Sequence, residues 1–159
     1  MTTPLLIVCI TALASWASFT KKTDKSLYFQ RYLSEQIYIS ISTDHPLATK
    51  SSLKTEDLAG LGILTFDVGF WVPLFRKEMP QTAFHVLSDV DAMDELVFAS
   101  SQPIFNSDQM LSDGYIAGDR INIPLNEPFA KATYYIGCLD SEKQKYSSFF
   151  NSLRSEFIK

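Results

Sequence analysis

Few residues in this chain have the type and spacing to do chemistry, and most of those read as structural. His45 and His85 are its two imidazoles. They are far apart in sequence with no carboxylate in ligand register, so no zinc site is expected. His45 is followed directly by Pro46, the pattern of a turn rather than of a general base. Asp89, Asp91, Asp94 and Glu95 crowd the first turn of a helical pattern, where the helix dipole favours carboxylates. No His or Cys accompanies them, so they read as a solvated, well-capped helix start and not as a metal centre. Cys9 and Cys138 both sit in apolar runs with no CxxC spacing. They read as two buried thiols, a disulfide between them being the alternative. Ser100-Ser101-Gln102 sets three hydrogen-bonding side chains in a row, without a histidine nearby in sequence to activate a serine. GxSxG, Walker, HExxH and GxGxxG patterns are all absent. The chain is therefore expected not to be an enzyme, with no catalytic residue, no cofactor and no metal.

Binding is the chemistry that remains, and two loops stand out. The first is Thr65-Phe66-Asp67-Val68-Gly69-Phe70, where a hydroxyl at a strand end, a glycine and the N–H groups of a helix start would suit a carboxylate or other anion. Asp67 would oppose an anion unless it points away. The second is Ser100-Ser101-Gln102, between a helix and a short strand. Both are read under the rule that ligands of open α/β sheets bind beyond the carboxyl ends of strands. The plain alternative is an ordinary strand–helix connection with capping groups.

Hydrophobic periodicity supplies the elements that must position these loops. Leu5-Leu6-Ile7-Val8-Cys9-Ile10 is a continuous β-prone run. Residues 11–26 read as a loop, residues 27–35 as a strand-like approach, and Ile37, Ile39 and Ile41 as one face of a strand. Residues 52–58 begin a short helix with Ser52 or Thr55 available as N-cap, and residues 61–66 form the next strand. Phe70, Trp71, Leu74 and Phe75 mark a helix over 69–79, with Pro73 in its first turn or kinking it. A strand over 83–88, a helix from Asp89 to Ala99 and a short strand over 102–106 follow, then a turn of helix over 107–113. Strands over 120–125 and 132–139 come next. A final helix, capped at Asp140-Ser141, carries Tyr146, Phe149, Phe150, Leu153 and Phe157 as an apolar stripe. The alternation of strands and helices predicts an α/β fold with a largely parallel sheet.

Composition limits the functions open to such a fold. The chain has 159 residues, 46% hydrophobic and 20% charged, which suits one globular domain or two small lobes. Its net charge is −4, and no Lys/Arg cluster exceeds Lys21-Lys22. A duplex-DNA binder needs a concentrated basic face, so these residues are not expected to bind DNA themselves. The N-terminal run could pass for a secretory signal, but no Lys or Arg precedes it and it is too short to span a membrane. A buried strand explains it better, and a cytoplasmic location is expected.

Read in order, His45-Pro46-Leu47-Ala48, Leu53 with Asp57-Leu58, Ile63-Leu64-Thr65-Phe66, Asp91 through Ala99, Ile121-Asn122-Ile123-Pro124-Leu125, Tyr134-Tyr135-Ile136 and the Phe149-to-Phe157 helix resemble one family. They are similar to the effector-binding domain of LysR-type transcriptional regulators, over roughly the whole chain from Leu5. The resemblance implies a two-lobed fold like a type 2 periplasmic binding protein, with two crossover strands and a small-molecule effector held between the lobes. It implies a first lobe from residues 1–48 and 126–159 and a second from 49–125. It also implies a polar or anionic effector, a homo-oligomer, and DNA contact only through a DNA-binding domain that this chain lacks. Thr65, Phe66, Ser100, Ser101 and Gln102 are the implied cleft residues, with Ser42 and Thr43 at the crossover. The chain departs from the family in three respects. The winged helix-turn-helix is missing, and so is the opening strand–helix–strand of the first lobe, which makes that lobe incomplete. Ser100-Ser101-Gln102-Pro103 stands where the family has Gly-x-Gly, which removes backbone freedom from that loop. The alternatives are a stand-alone solute-binding protein of the same fold and a ligand-free protein-interaction module.

Overall fold

The structure is a computed structural model that describes residues 7–12, 27–67, 70–112 and 119–156. It divides into two compact units, residues 1–35 with 131–159, and residues 36–130.

In the unit spanning 36–130, the sheet is built on the second half of β2 (Leu27–Ser42). Ile37, Ile39 and Ile41 are each 0% exposed. This burial and pairing place the end of β2 in the second unit, which therefore begins before the Thr49 start read from the sequence. β3 (Gly62–Phe66) runs parallel to both β4 (Ala83–Leu87) and β5 (Ile104–Ser107). β2, however, pairs antiparallel with β5 and with β6 (Arg120–Pro124). The sheet is thus mixed and not largely parallel. The strand–helix alternation holds only from β3 to β5, and that is the stretch where parallel crossovers arise.

Helices cover both faces of this sheet. α1 (Trp71–Glu78) carries Pro73 in its first turn, where a missing N–H costs no helix bond. Phe75 of α1 is the centre of an aromatic cluster, 4.8 Å from Phe105, 6.1 Å from Phe84 and 5.8 Å from Phe129 by ring centroids. On the opposite face α2 (Val90–Ala99) packs Val97 against Leu64 and Ile104, with Phe66 and Leu87 at the margin. The Asp89 carboxylate accepts from the Ala92 amide at 3.0 Å, the N-cap expected of an acidic helix start. The short α3 (Asp108–Ser112) follows β5 directly.

A 3-10 turn, Thr55–Leu58, replaces the helix start expected over 52–58, and another, Pro46–Thr49, forms the turn expected at His45-Pro46. Pro46–Thr49 is capped by the His45 ring, whose Nδ1 accepts from the Leu47 amide at 3.2 Å. In Thr55–Leu58 the cap is made by Asp57, which reaches back to the Lys54 amide at 3.0 Å. Thr55 instead donates its hydroxyl to Glu127.

In the other unit, β1 (Ile7–Ala12) pairs antiparallel with β7 (Lys131–Leu139), and β7 neighbours the first half of β2. The two strand segments expected over 27–35 and 37–42 are one continuous strand. α4 (Ser147–Glu156) docks Phe150 and Leu153 onto Ile136 and Cys138. Phe149, expected in that stripe, is 39% exposed, and Phe157 lies outside the described residues. The 3-10 turn Asp140–Glu142 precedes the helix, which begins at Ser147. Cys138 is a free, buried thiol, and the β1–β7 register sets Cys9 opposite Tyr135.

Candidate functional site

The direction of the parallel strands sorts the candidate residues into two groups. Thr65 and Phe66 are the last residues of β3. Ser100, Ser101 and Gln102 precede β5, which is parallel to β3 with Leu64 opposite Ile104. They therefore stand at the amino end of that sheet, and the carboxyl-end rule applies to the first loop alone. Ser42 and Thr43 belong with the second group, because β2 runs antiparallel to β5 and sets Ser42 opposite Arg120 of β6.

The carboxyl end carries a set of buried polar side chains. Thr65 is 1% exposed, and its hydroxyl donates to the Phe66 carbonyl at 3.0 Å. Phe66 is half-buried against the α2 cluster. From the end of β5 come Asn106 and Ser107, at 4% and 0% exposure. Asn106 accepts from the Ser107 amide at 2.8 Å and donates to Asn122 at 3.2 Å. The Ser107 hydroxyl caps α3 by accepting from Met110 N, and Asp108 accepts from the Gln36 amide at 3.1 Å. Gln36 in turn donates its side-chain amide to the carbonyls of Ile37, Leu125 and Ala130. Buried polar groups tied together in this way hold a fixed set of dipoles in a medium of low dielectric. The N-cap residue of α1, Phe70, contributes no side-chain cap of its own. Val68 and Gly69 of this loop lie outside the described residues.

At the amino end the organising residue is Arg120. Its guanidinium donates from Nη1 to the Ser100 carbonyl at 3.2 Å and from Nη2 to the Ser40 carbonyl at 3.0 Å and to the Gln102 carbonyl. Nε reaches the Ser40 hydroxyl at 3.4 Å. Burial pulls the Arg120 pKa below its ordinary value, yet an arginine keeps its charge at neutral pH. The positive group sits at the negative end of α2 and supplies the loop's carbonyls with donors. The Ser100 hydroxyl donates to the Leu96 carbonyl at 2.8 Å, while Ser101 and Gln102 are exposed. The Thr43 amide donates to the Asp119 carbonyl at 3.2 Å.

Sequence reasoning missed Asn106, Ser107, Gln36 and Arg120. A signal existed for the first two, since they follow Ile104 and Phe105 at a strand's end, where the carboxyl-end rule points. Gln36 and Arg120 gave none, because their roles depend on which strands pair. Among the described residues, no three His, Cys, Asp or Glu side chains are grouped to hold a metal ion. His45 is occupied as a cap, and His85 lies over Gly62, where a Cβ would come 2.7 Å from its Nε2. What the arrangement offers is hydrogen bonding.

Comparison with solved structures gives the architecture its relatives. The reduced form of the OxyR regulatory domain from Pseudomonas aeruginosa superimposes with a TM-score of 0.64 at 17% identity, over 92% of this chain and 71% of that one. The regulatory domain of MetR, a LysR family regulator from N. meningitidis, gives 0.65 at 16%, over 92% and 67%. The chain has the fold of a LysR-type regulatory domain. The BenM effector-binding domain with its effector benzoate gives 0.67 at 16% identity, over 94% of this chain and 68% of that one. Against full-length OxyR the chain covers 48% of the longer protein. No family model and no curated protein matches the sequence. No helix among the described residues is long and apolar enough to cross a membrane.

Proposed function

We propose that this chain is the effector-sensing and oligomerisation portion of a LysR-type transcriptional regulator. The observation that carries the reading is the fold likeness to OxyR, MetR and BenM regulatory domains over more than nine-tenths of the chain. The effector is a small polar or anionic molecule, and in the unit 36–130 its contacts come from the carboxyl end, around Thr65, Phe66, Asn106 and Ser107. Its binding biases the geometry of the assembly, and through it the placement of attached DNA-binding domains. The protein acts in the cytoplasm, without catalysis. DNA contact belongs to a separate winged helix-turn-helix, in keeping with the net charge of −4.

A homo-oligomer is supported by β4. The Ala83 amide donates to the Leu61 carbonyl, so the alternation of the ladder turns the main-chain groups of Phe84 and Val86 outward. Among the described strands β4 pairs with β3 alone, and no charged residue or proline guards Ala83–Leu87. Such an edge invites another chain. Leu96 of α2 adds a 40% exposed apolar side chain.

A thermal-shift screen against small carboxylates, amino acids, sugars and inorganic anions tests the reading. A ligand that binds only the native state raises the midpoint by mass action. The expected result is a hit whose shift is lost in Thr65→Ala and Asn106→Ala. A cooperative transition that no compound moves would sink the effector reading in favour of a ligand-free interaction module.

A further inference from the structure

We propose that the unit formed by 1–35 and 131–159 holds a separate small-molecule site, for a carboxylate with a flat or apolar body. It is a cavity of about 290 Å³ between the first half of β2 and the start of α4, close to the lower bound for small-ligand pockets. Its wall is aromatic. The Tyr28 and Phe150 rings meet edge to face, 5.1 Å between centroids at 87°. Phe150 is fixed in the core with Ile136, Cys138 and Leu153. Gln30 fastens the wall, donating to the Phe150 carbonyl at 2.7 Å and accepting from the Tyr28 hydroxyl at 3.4 Å. The half-buried Tyr28 ring, braced edge to face by Phe150, leaves an apolar margin against which a ring or a short hydrocarbon body can lie.

The rim sets the sign of the ligand. Lys143 Nζ stands 4.1 Å over the Tyr28 ring, so its ammonium is held at the cavity. Gln144, Ser147 and Asn151 add hydrogen-bonding side chains, and the residues lining the cavity include no carboxylate. The adjacent Glu142, which is not among the lining residues, has one carboxylate oxygen 3.9 Å from Lys145 Nζ. The positive end of α4 lies on the same side. An aromatic wall beneath one ammonium and several neutral donors matches a planar carboxylate better than a bare inorganic anion or a neutral amide.

Isothermal titration of the whole chain with benzoate tests this, with benzamide as the neutral isostere and inorganic phosphate as the anion without a ring. Benzoate is expected to bind saturably, and benzamide and phosphate each about tenfold more weakly or worse, the loss of one cation contact or of the ring surface. Lys143→Gln should weaken benzoate by about tenfold. In the unmodified chain, amide shifts on adding benzoate should concentrate at 143–151, a readout that does not depend on any variant folding. Absence of saturable binding, equal affinity in Lys143→Gln, or shifts confined to 65–70 and 104–108 would each overturn the proposal. Tighter binding of phosphate than of benzoate would also overturn it, because the aromatic wall would then contribute nothing.

Discussion

The Arg120 guanidinium lies 3.2 Å from the carbonyl oxygen of Ser100, and with it closes the loop that leaves α2. It also serves the Ser40 and Gln102 carbonyls, so one side chain joins β6, β2 and the approach to β5. Replacing it with Met should destabilise the protein by about 2 kcal/mol, because partly buried carbonyls lose their donors. Lysine should recover little, since a single ammonium cannot reproduce the planar fork. Urea unfolding of Arg120→Met and Arg120→Lys measures both. A Lys variant as stable as the wild type would show that charge alone matters.

Phe75 touches Trp71, Phe84, Phe105 and Phe129 and is 1% exposed. Phe75→Ala should cost about 3–5 kcal/mol, the range for emptying a large aromatic site. Calorimetry should show a correspondingly lower midpoint.

Gly137 of β7 leaves no room for a side chain. A Cβ there would overlap the Phe29 ring and come 2.8 Å from the Tyr28 carbonyl oxygen. Since backbone cannot yield as a flexible side chain does, Gly137→Ala should destabilise by about 1–3 kcal/mol through overpacking. Thermal unfolding of this variant beside Gly60→Asn makes the contrast. Gly60 has open space around it and φ of +80°, a region asparagine tolerates.

Asp57 accepts from Lys50 Nζ at 2.5 Å and from the Lys54 amide at 3.0 Å, and these bonds hold its carboxyl below the ordinary 3.8, the Lys50 bond foremost. The folded value lies below the unfolded one, so this contribution is present above the unfolded pKa and is lost as pH falls through the folded pKa. Asp57→Asn should therefore unfold at slightly lower urea than the wild type at neutral pH, with the difference closing in acid. A gap that widens on acidification would contradict the sign. The pair is largely exposed, so added salt should narrow the gap as well.

Burial first, then the nearby Glu142 and Asp140 carboxylates, push the Cys138 thiol up, with Lys143 opposing. It should stay protonated and unreactive at neutral pH. In a Cys9→Ser background, Cys138 should react with a thiol reagent at a rate set by unfolding. Prompt labelling of the native protein would contradict this.

The elements were legible where one face is apolar and the other is not. Ile37, Ile39 and Ile41, the β3–α1–β4–α2 succession and the Asp89 cap all follow from local pattern. Sheet direction was not legible. The antiparallel return of β2 against β5 and β6 depends on long-range pairing, and nothing local in Ile121-Asn122-Ile123 reveals its partner. For the same reason Ser100-Ser101-Gln102 and Thr65-Phe66 read alike in sequence yet stand at opposite ends of β3 and β5. Arg120 looked like an ordinary strand-end cation, because the carbonyls it serves come from segments remote in sequence.

The division of the chain has a consequence for its synthesis. The unit 36–130 is one uninterrupted stretch, whereas the other unit joins residues 1–35 to 131–159. As the polypeptide emerges from the ribosome, the central unit can complete its core before β7 and α4 exist. β1 and the first half of β2, although made before it, must wait for residues 131–159, which lie beyond it in the chain. Within this stretch of chain the continuous unit can therefore close first, while residues 1–35 await their partners from 131–159.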